Sequence, residues 1–343
     1  MIPVTVITGF LGAGKTTLLN RLLKRPELAD TAVLINEFGE IGLDHLMVER
    51  LDEDTVLLNA GCLCCTVRGD LVRALRGLAE RAEGRAIRRV AIETTGLADP
   101  APILQTLMSD PIVLRAFRLD GVVTLVDAVH GEATLDAQPE AVKQAAVADR
   151  LVLTKTDLAA PEAVQALRAR LAALNPGAPL LTAQHGDIAP DALLEAGPFD
   201  PAAKNPDVGR WLDEETYAAH AHHHHDVNRH DARIAAFCLT FDTPLHWDGI
   251  ATWVEMLIMT RGESLLRIKG VLDLVGEDRP VVIHGVQHVF HPPTRLPTWP
   301  ENEPRRSRLV FITRDLARET IEAGLAAFEK AAAEHAEKAG EGR

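Results

Sequence analysis

Residues Gly9-Phe10-Leu11-Gly12-Ala13-Gly14-Lys15-Thr16 fill every fixed position of the pattern G-x-x-x-x-G-K-[ST]. No other stretch constrains the fold as tightly. The apolar run Ile2 to Thr8 before it reads as a buried strand, and Thr17 to Leu23 after it reads as a helix. In that context Gly9, Gly12 and Gly14 let the backbone approach phosphate oxygens. The loop amides of Ala13 and its neighbours, with the helix N-terminus at Thr16 and Thr17, form an anion cradle. Lys15 brings a positive charge to the outer phosphates, and the Thr16 hydroxyl is placed to hold Mg²⁺. The segment is expected to bind a nucleotide.

The chain that follows alternates strand and helix patterns. Thr31–Ile35 is a β-branched strand running into Asn36-Glu37-Phe38-Gly39-Glu40. Thr55–Leu58 is a second, ending at Asn59-Ala60-Gly61-Cys62-Leu63-Cys64-Cys65, and leucines at 71, 75 and 78 mark a helix from Val67 to Arg81. Ile87–Ile92, Val122–Val126 and Leu151–Leu153 are further strands. This alternation predicts an α/β fold: a P-loop NTPase domain with a mostly parallel sheet over residues 1–197. Ligands of such sheets lie beyond the carboxyl ends of the strands, and each candidate motif falls at such an end.

Residues 198–231 change character, with proline, glycine and acidic residues, and His220, His222, His223, His224, His225 and His230 within eleven positions. This is expected to be a linker or exposed loop, acting as a weak metal collector or as flexible filler. A smaller α+β domain is expected over residues 232–331. Its strand is Ile234–Phe241, and Trp247, Ile250, Trp253, Val254, Leu257 and Ile258 outline a helix. Strands over Leu265–Val275, Val281–Phe290 and Leu309–Thr313 follow, then a helix from Leu316 through Phe328 and a fraying tail at 332–343. His284, His288 and His291 read as packing or hydrogen-bonding groups, and Cys238 as a core residue.

Three constellations carry chemistry. Thr154-Lys155-Thr156-Asp157 resembles the [NT]-K-x-D motif by which GTPases read guanine. Asp157 would accept from both N1–H and the 2-amino group, a pair adenine lacks, while the Lys155 stem covers the base. Threonine in place of the commoner asparagine leaves open whether position 154 tethers the loop. Glu93-Thr94-Thr95-Gly96 occupies the place of the D-x-x-G switch, with Glu93 toward Mg²⁺ and the Gly96 amide toward the γ-phosphate. Lys15 and Glu93 are the candidate catalytic residues. At the turn after the second strand, Cys62, Cys64 and Cys65 offer two or three thiolates to a tetrahedral ion such as Zn²⁺. Two buried structural cysteines and a bystander remain the alternative. Glu37 can supply oxygen to the same metal or to Mg²⁺, or stand solvated at the surface.

Composition excludes some classes. A net charge of −13 disfavours nucleic acid as a partner. No apolar run approaches the roughly 18 residues of a membrane span, and no signal-peptide pattern precedes the loop. Four cysteines, three of them clustered, suit a reducing cytoplasm and metal chemistry.

Taken together, these motifs make the chain similar to the CobW-type GTPases, a family of metallochaperones related to the nickel-insertion GTPases. Arg267-Ile268-Lys269-Gly270 and Gly285-Val286-Gln287-His288 extend the resemblance into the second domain. The resemblance implies GTP hydrolysis to GDP, Mg²⁺ as cofactor, Zn²⁺ or Co²⁺ at the cysteines, and a client metalloprotein, with the chain a monomer or homodimer. A cobalt-inserting activator for cobalamin synthesis or a nitrile hydratase, a zinc buffer, and an ATP-dependent small-molecule kinase are the competing expectations.

Overall fold

The computed structural model describes residues 1–38, 55–60, 65–82, 87–194, 217, 233–299 and 304–341. It divides into two units, Met1–Asp200 with Val227–Asp231, and Pro201–Asp226 with Ala232–Arg343. Apart from Tyr217, the histidine-rich linker lies outside the described residues.

In the first unit β1 (Ile2–Gly9) leads into α1 (Lys15–Leu23), followed by β2 (Thr31–Phe38), β3 (Thr55–Ala60) and α2 (Cys65–Ala82). Next come β4 (Arg89–Glu93), α3 (Ala101–Ser109), α4 (Val113–Ala116) and β5 (Phe117–Asp127). The unit continues through α5 (Gly131–Ala137), α6 (Pro139–Ala146), β6 (Arg150–Thr154), α7 (Pro161–Leu174), β7 (Leu180–Ala183) and α8 (Pro190–Leu193). The seven strands form one sheet in the order β3-β2-β4-β1-β5-β6-β7. Every pairing is parallel. Strands covered on both faces read as unbroken apolar runs, and β6 is buried along its whole length. Leu18, Leu19 and Leu22 of α1 pack on Ile7, Val33, Val123 and Val152, so the helix behind the glycine loop is fixed to the centre of the sheet.

The elements follow the sequence pattern with instructive departures. β5 begins at Phe117 rather than Val122. Its first half hides a charge: Asp120 is 1% exposed, pairs with Arg89 at 2.9 Å and accepts the Thr5 hydroxyl at 3.0 Å. A carboxylate inside a strand breaks the apolar run without breaking the strand. α1 and α2 each start two residues earlier than expected, which puts Cys65 at the first position of α2.

The second unit is an antiparallel sheet backed by two helices. Its elements are β8 (Ile234–Phe241), α9 (Trp247–Arg261), β9 (Leu265–Leu274), β10 (Glu277–Val286) and β11 (Val289–Phe290). β12 (Thr294–Arg295), β13 (Ser307–Arg314) and α10 (Arg318–Glu341) complete it. The strand order is β11-β10-β9-β13-β8, with β12 also on β10. The core lies between sheet and helices, where Trp253 meets Phe311 edge-on at 5.9 Å and Phe237 stacks on Phe311 at 5.4 Å. The single strand expected over Val281–Phe290 is a hairpin. Gln287 takes a left-handed conformation (φ 52°) and turns the chain between β10 and β11. The last helix does not stop at Phe328 but runs on to Glu341. Large apolar residues end there, but Glu329 accepts the His246 N–H at 2.9 Å and Ala332 packs near Gly249, and the alanine, glutamate and lysine that follow favour helix by themselves.

Among the described residues no helix is long and apolar enough to cross a membrane.

Candidate functional site

The glycine loop joins β1 to α1 at the middle of the sheet's carboxyl edge. Gly9, Gly12 and Gly14 have φ of 137°, 75° and 90°, values that L side chains rarely adopt. At Gly9 space forbids a side chain as well: a Cβ there would lie 2.4 Å from the Leu125 carbonyl oxygen. The loop is closed by the Ala13 N–H donating to the Phe10 carbonyl at 3.1 Å. Lys15 is buried, and its ammonium donates to the carbonyls of Gly9 (2.8 Å) and Phe10 (3.2 Å). A full positive charge therefore sits inside the loop, where the local dielectric is low and its pull on an anion is strong.

Three neighbouring strand ends converge on this loop. At the end of β4, Glu93 is 4% exposed and accepts the Thr16 hydroxyl at 2.8 Å. A hydroxyl and a carboxylate side by side are the hard-oxygen donors that Mg²⁺ takes together with phosphate oxygens and water, so these residues fit that ion. Gly96 follows, and a Cβ on it would stand 2.5 Å from the Leu11 nitrogen, so only glycine lets the loop after β4 lie against the phosphate loop.

On the other flank, β6 ends at Thr154. Its hydroxyl donates to the Ala13 carbonyl at 2.9 Å and lies 3.4 Å from the Val126 carbonyl. The threonine thus ties the phosphate loop to β6, so the tether that the threonine left open is present. Lys155 adopts a left-handed conformation (φ 55°) and its ammonium pairs with Asp127 at 2.7 Å. Asp127, at the end of β5, also accepts the Val129 N–H at 2.8 Å. Asp157 is about one-third exposed, with His185 Nε2 3.9 Å away. Gly186 presses on α1, where a Cβ would meet the Thr17 carbonyl at 2.8 Å. β6 stands two places from β1 in the sheet, about 10 Å at ordinary strand spacing, which suits the reach from phosphates to base.

Comparison with known proteins agrees with this geometry. Residues 3–182 match the model of the CobW/HypB/UreG nucleotide-binding domain, and residues 234–329 match the cobalamin synthesis protein CobW C-terminal domain. The zinc chaperone YjiA of Escherichia coli (strain K12) is 34% identical over 331 residues, covering 96% of this chain and 99% of that one. The zinc chaperone CobW of Pseudomonas aeruginosa is 31% identical over 355 residues, covering 93% and 89%. The crystal structure of Zn(II)-bound YjiA GTPase from E. coli aligns with a TM-score of 0.69 at 32% identity, over 95% of this chain and 98% of that chain.

The chain belongs to the CobW/HypB/UreG family.

It is a P-loop GTPase of that family, with the CobW C-terminal domain behind it. The structure brings together Lys15, Thr16, Glu93 and Gly96 on one side of the phosphate loop, and Thr154, Lys155 and Asp157 on the other. Of the metal candidates, Cys62 and Cys64 lie outside the described residues, and Cys65 and Glu37 are placed by backbone alone. Glu37 is in register with Asn59 near the end of β2, one strand from the cysteine turn. Among the described residues no three His, Cys, Asp or Glu side chains gather where a metal could be held. His284 is buried with its ring 5.2 Å from that of His291, and His288 lies over Gly262. Cys238 is buried in β8 beside Val310 and Tyr217.

Sequence reasoning missed Asp127, His185 and Gln144. Asp127 carried a usable signal, since it closes an apolar strand at the edge where every other motif sits. His185 follows a four-residue strand too short to stand out. Gln144 lies within a helix and carries no pattern at all.

Proposed function

We propose that this GTPase is a cytoplasmic metallochaperone that binds GTP with Mg²⁺ at the Gly9–Thr16 loop and carries Zn²⁺ on Cys62, Cys64 and Cys65, with Glu37 beside them. A client metalloprotein receives the ion. The observation that carries the reading is the Thr16–Glu93 contact of 2.8 Å at the phosphate loop. It sets a carboxylate at the end of β4, between the phosphates and the β2 and β3 ends that lead to Glu37 and the cysteines.

Within this reading each residue has one task. The loop amides and Lys15 hold the phosphates, and Thr16 and Glu93 hold Mg²⁺, which neutralises charge between the outer phosphates when bound. The Gly96 N–H meets the γ-phosphate. Asp157 accepts from guanine, oriented by Lys155 on Asp127. Cys65 opens α2, where helix N–H groups favour the thiolate. Thiolates suit both Zn²⁺ and Co²⁺; the relatives named as zinc chaperones favour zinc. The histidine-rich linker serves as a weak collector of the same ion.

The cysteine turn follows β3, three strand places from β1, or about 14 Å along the edge. GTP and metal are therefore coupled through β2 and β4, and what GTP does to metal affinity, metal must do to GTP affinity. Cobalt titration, followed by thiolate-to-metal absorption, is run without nucleotide, with GDP and with a non-hydrolysable GTP analogue. Couplings of this kind are about 1–3 kcal/mol, so the GTP-analogue curve should shift by roughly 5- to 150-fold. Three overlaid curves would end the coupled mechanism.

A further inference from the structure

The loop after β4 is held at both ends by buried contacts to residues outside the Gly9–Thr16 loop. At its start, the Thr94 N–H donates to the Ile7 carbonyl at 3.0 Å and the Thr94 hydroxyl donates to the Thr8 hydroxyl at 2.8 Å. At its far end stands α6. Gln144 Nε2 donates to the carbonyls of Gly96 (3.2 Å) and Ala98 (2.9 Å), and Lys143 pairs with Asp99 at 2.7 Å.

These contacts close into a ring. The Gln144 main-chain carbonyl accepts the Thr124 hydroxyl at 2.7 Å, and Thr124 on β5 is in register with Thr8 on β1. The path therefore runs from Thr94 to Thr8, across the sheet to Thr124, through Gln144 and back to Gly96. None of Thr8, Thr94, Thr124 and Gln144 is more than 1% exposed. Water does not compete for hydrogen bonds buried to this degree. Gly96 is the point where this ring meets the phosphate loop, pressed against Leu11.

We propose that Gln144 is a positioning residue for the γ-phosphate. By gripping the Gly96 and Ala98 carbonyls it braces the Thr95–Ala98 turn. In that turn the Thr95 carbonyl, in the same peptide plane as the Gly96 N–H, accepts the Ala98 N–H at 3.1 Å, and this sets the direction of the Gly96 N–H. The chain then senses the third phosphate through a prearranged amide instead of having to order that loop on binding. The proposal rests on the reading that Gly96 meets the γ-phosphate. It adds a residue from α6, about fifty positions further along the chain, on which the distinction between GTP and GDP depends.

The test compares affinities for GDP and for a non-hydrolysable GTP analogue in the full-length protein. Gln144→Met keeps the length and apolar volume of the side chain but removes its N–H donors; Gln144→Ala removes the contact altogether. A purely structural glutamine would weaken both ligands alike. A positioning glutamine should weaken the GTP analogue about tenfold while GDP stays within about twofold, the loss expected of one or two hydrogen bonds. Retained GDP binding reports that the variant is folded. Equal losses for both ligands, or no loss for either, would overturn the proposal. Gly96→Ala separates the two levels. If it collapses the GTP-to-GDP preference while Gln144→Met does not, only the role of Gln144 fails. If Gly96→Ala leaves that preference intact, the γ-phosphate reading itself is wrong.

Discussion

The two sheets keep their buried polar groups in different places. In the first unit Lys15, Glu93, Asp127 and Thr154 stand at or just beyond strand ends, along one edge. In the second, Arg267, Lys269 and His284 lie within strands on the sheet face opposite the helices, and Arg308, the second residue of β13, shares that face. Lys269 is in register with His284 on one side and Val310 on the other. A side chain at a strand end borders a loop that can receive a ligand and change shape. One in mid-strand is locked between neighbours whose backbones are already paired. The comparison teaches a rule: edge groups perform chemistry, whereas face groups hold the fold. Asp120 sharpens it, being a mid-strand carboxylate in the catalytic unit.

The largest effect that would test this rule is on stability. Asp120→Ala removes the buried carboxylate that pairs with Arg89 at 2.9 Å and stands 3.6 Å from Arg118. Losing one member of a buried pair costs about 3–5 kcal/mol, to be read from urea unfolding. GTP turnover per folded molecule should stay within about twofold, because nothing at the carboxyl edge is touched. A large loss of turnover in the folded protein would show that mid-strand position does not exclude a part in the chemistry.

Lys15→Ala is the opposite experiment. It should lower kcat by about 10²–10³-fold, as removal of a charge-stabilising donor does elsewhere, with little change in unfolding midpoint. Lys269→Ala, an equally buried lysine on the other sheet, should lower the unfolding midpoint and leave GTP turnover alone. If both lysine variants lose turnover alike, the rule is broken.

Asp157→Ala comes next. It should weaken GTP binding by about 2 kcal/mol, roughly 30-fold, because the base loses the acceptor for its N–H groups. ATP affinity should not change. A wild-type protein that binds ATP and GTP equally would remove the guanine reading altogether.

How much of this was legible beforehand follows the same division. The edge groups were visible because a strand end interrupts an apolar run with glycine, acid or lysine, and Gly9–Thr16, Glu93–Gly96 and Thr154–Asp157 all do so. The contacts among them were not visible. Thr154 tethers Ala13 across 141 positions, and Glu93 meets Thr16 across 77. Such pairings are set by strand order, which local pattern does not encode. Asp120 was hidden for the converse reason: a satisfied charge inside a strand looks, in sequence, like the strand's end. The β10–β11 hairpin was lost because Gln287 is not a residue that announces a left-handed turn.

The smallest predicted effect concerns pH and the second sheet. Burial holds the His284 imidazole well below its ordinary pKa of 6.5, and Arg267, then His291 and Lys269, add to the depression. Its folded form is therefore neutral where its unfolded form is protonated. The unfolded state binds more protons below pH 6.5, so stability is complete above that value and falls as the solution is acidified toward the folded pKa. One such group changes stability by at most about 1.4 kcal/mol for each pH unit. Trp247, Trp253 and Trp299 lie in the second unit and the sequence has no tryptophan within residues 1–200, so tryptophan fluorescence follows the unfolding of the second unit. Urea midpoints by tryptophan fluorescence should decline between pH 6.5 and 5, and His284→Gln, which cannot be protonated, should flatten that decline. An identical pH slope in the variant would place the acid sensitivity elsewhere. His284 would then be a neutral packing group with no electrostatic cost, and the face of the second sheet would be less constrained by charge than its three buried cations imply.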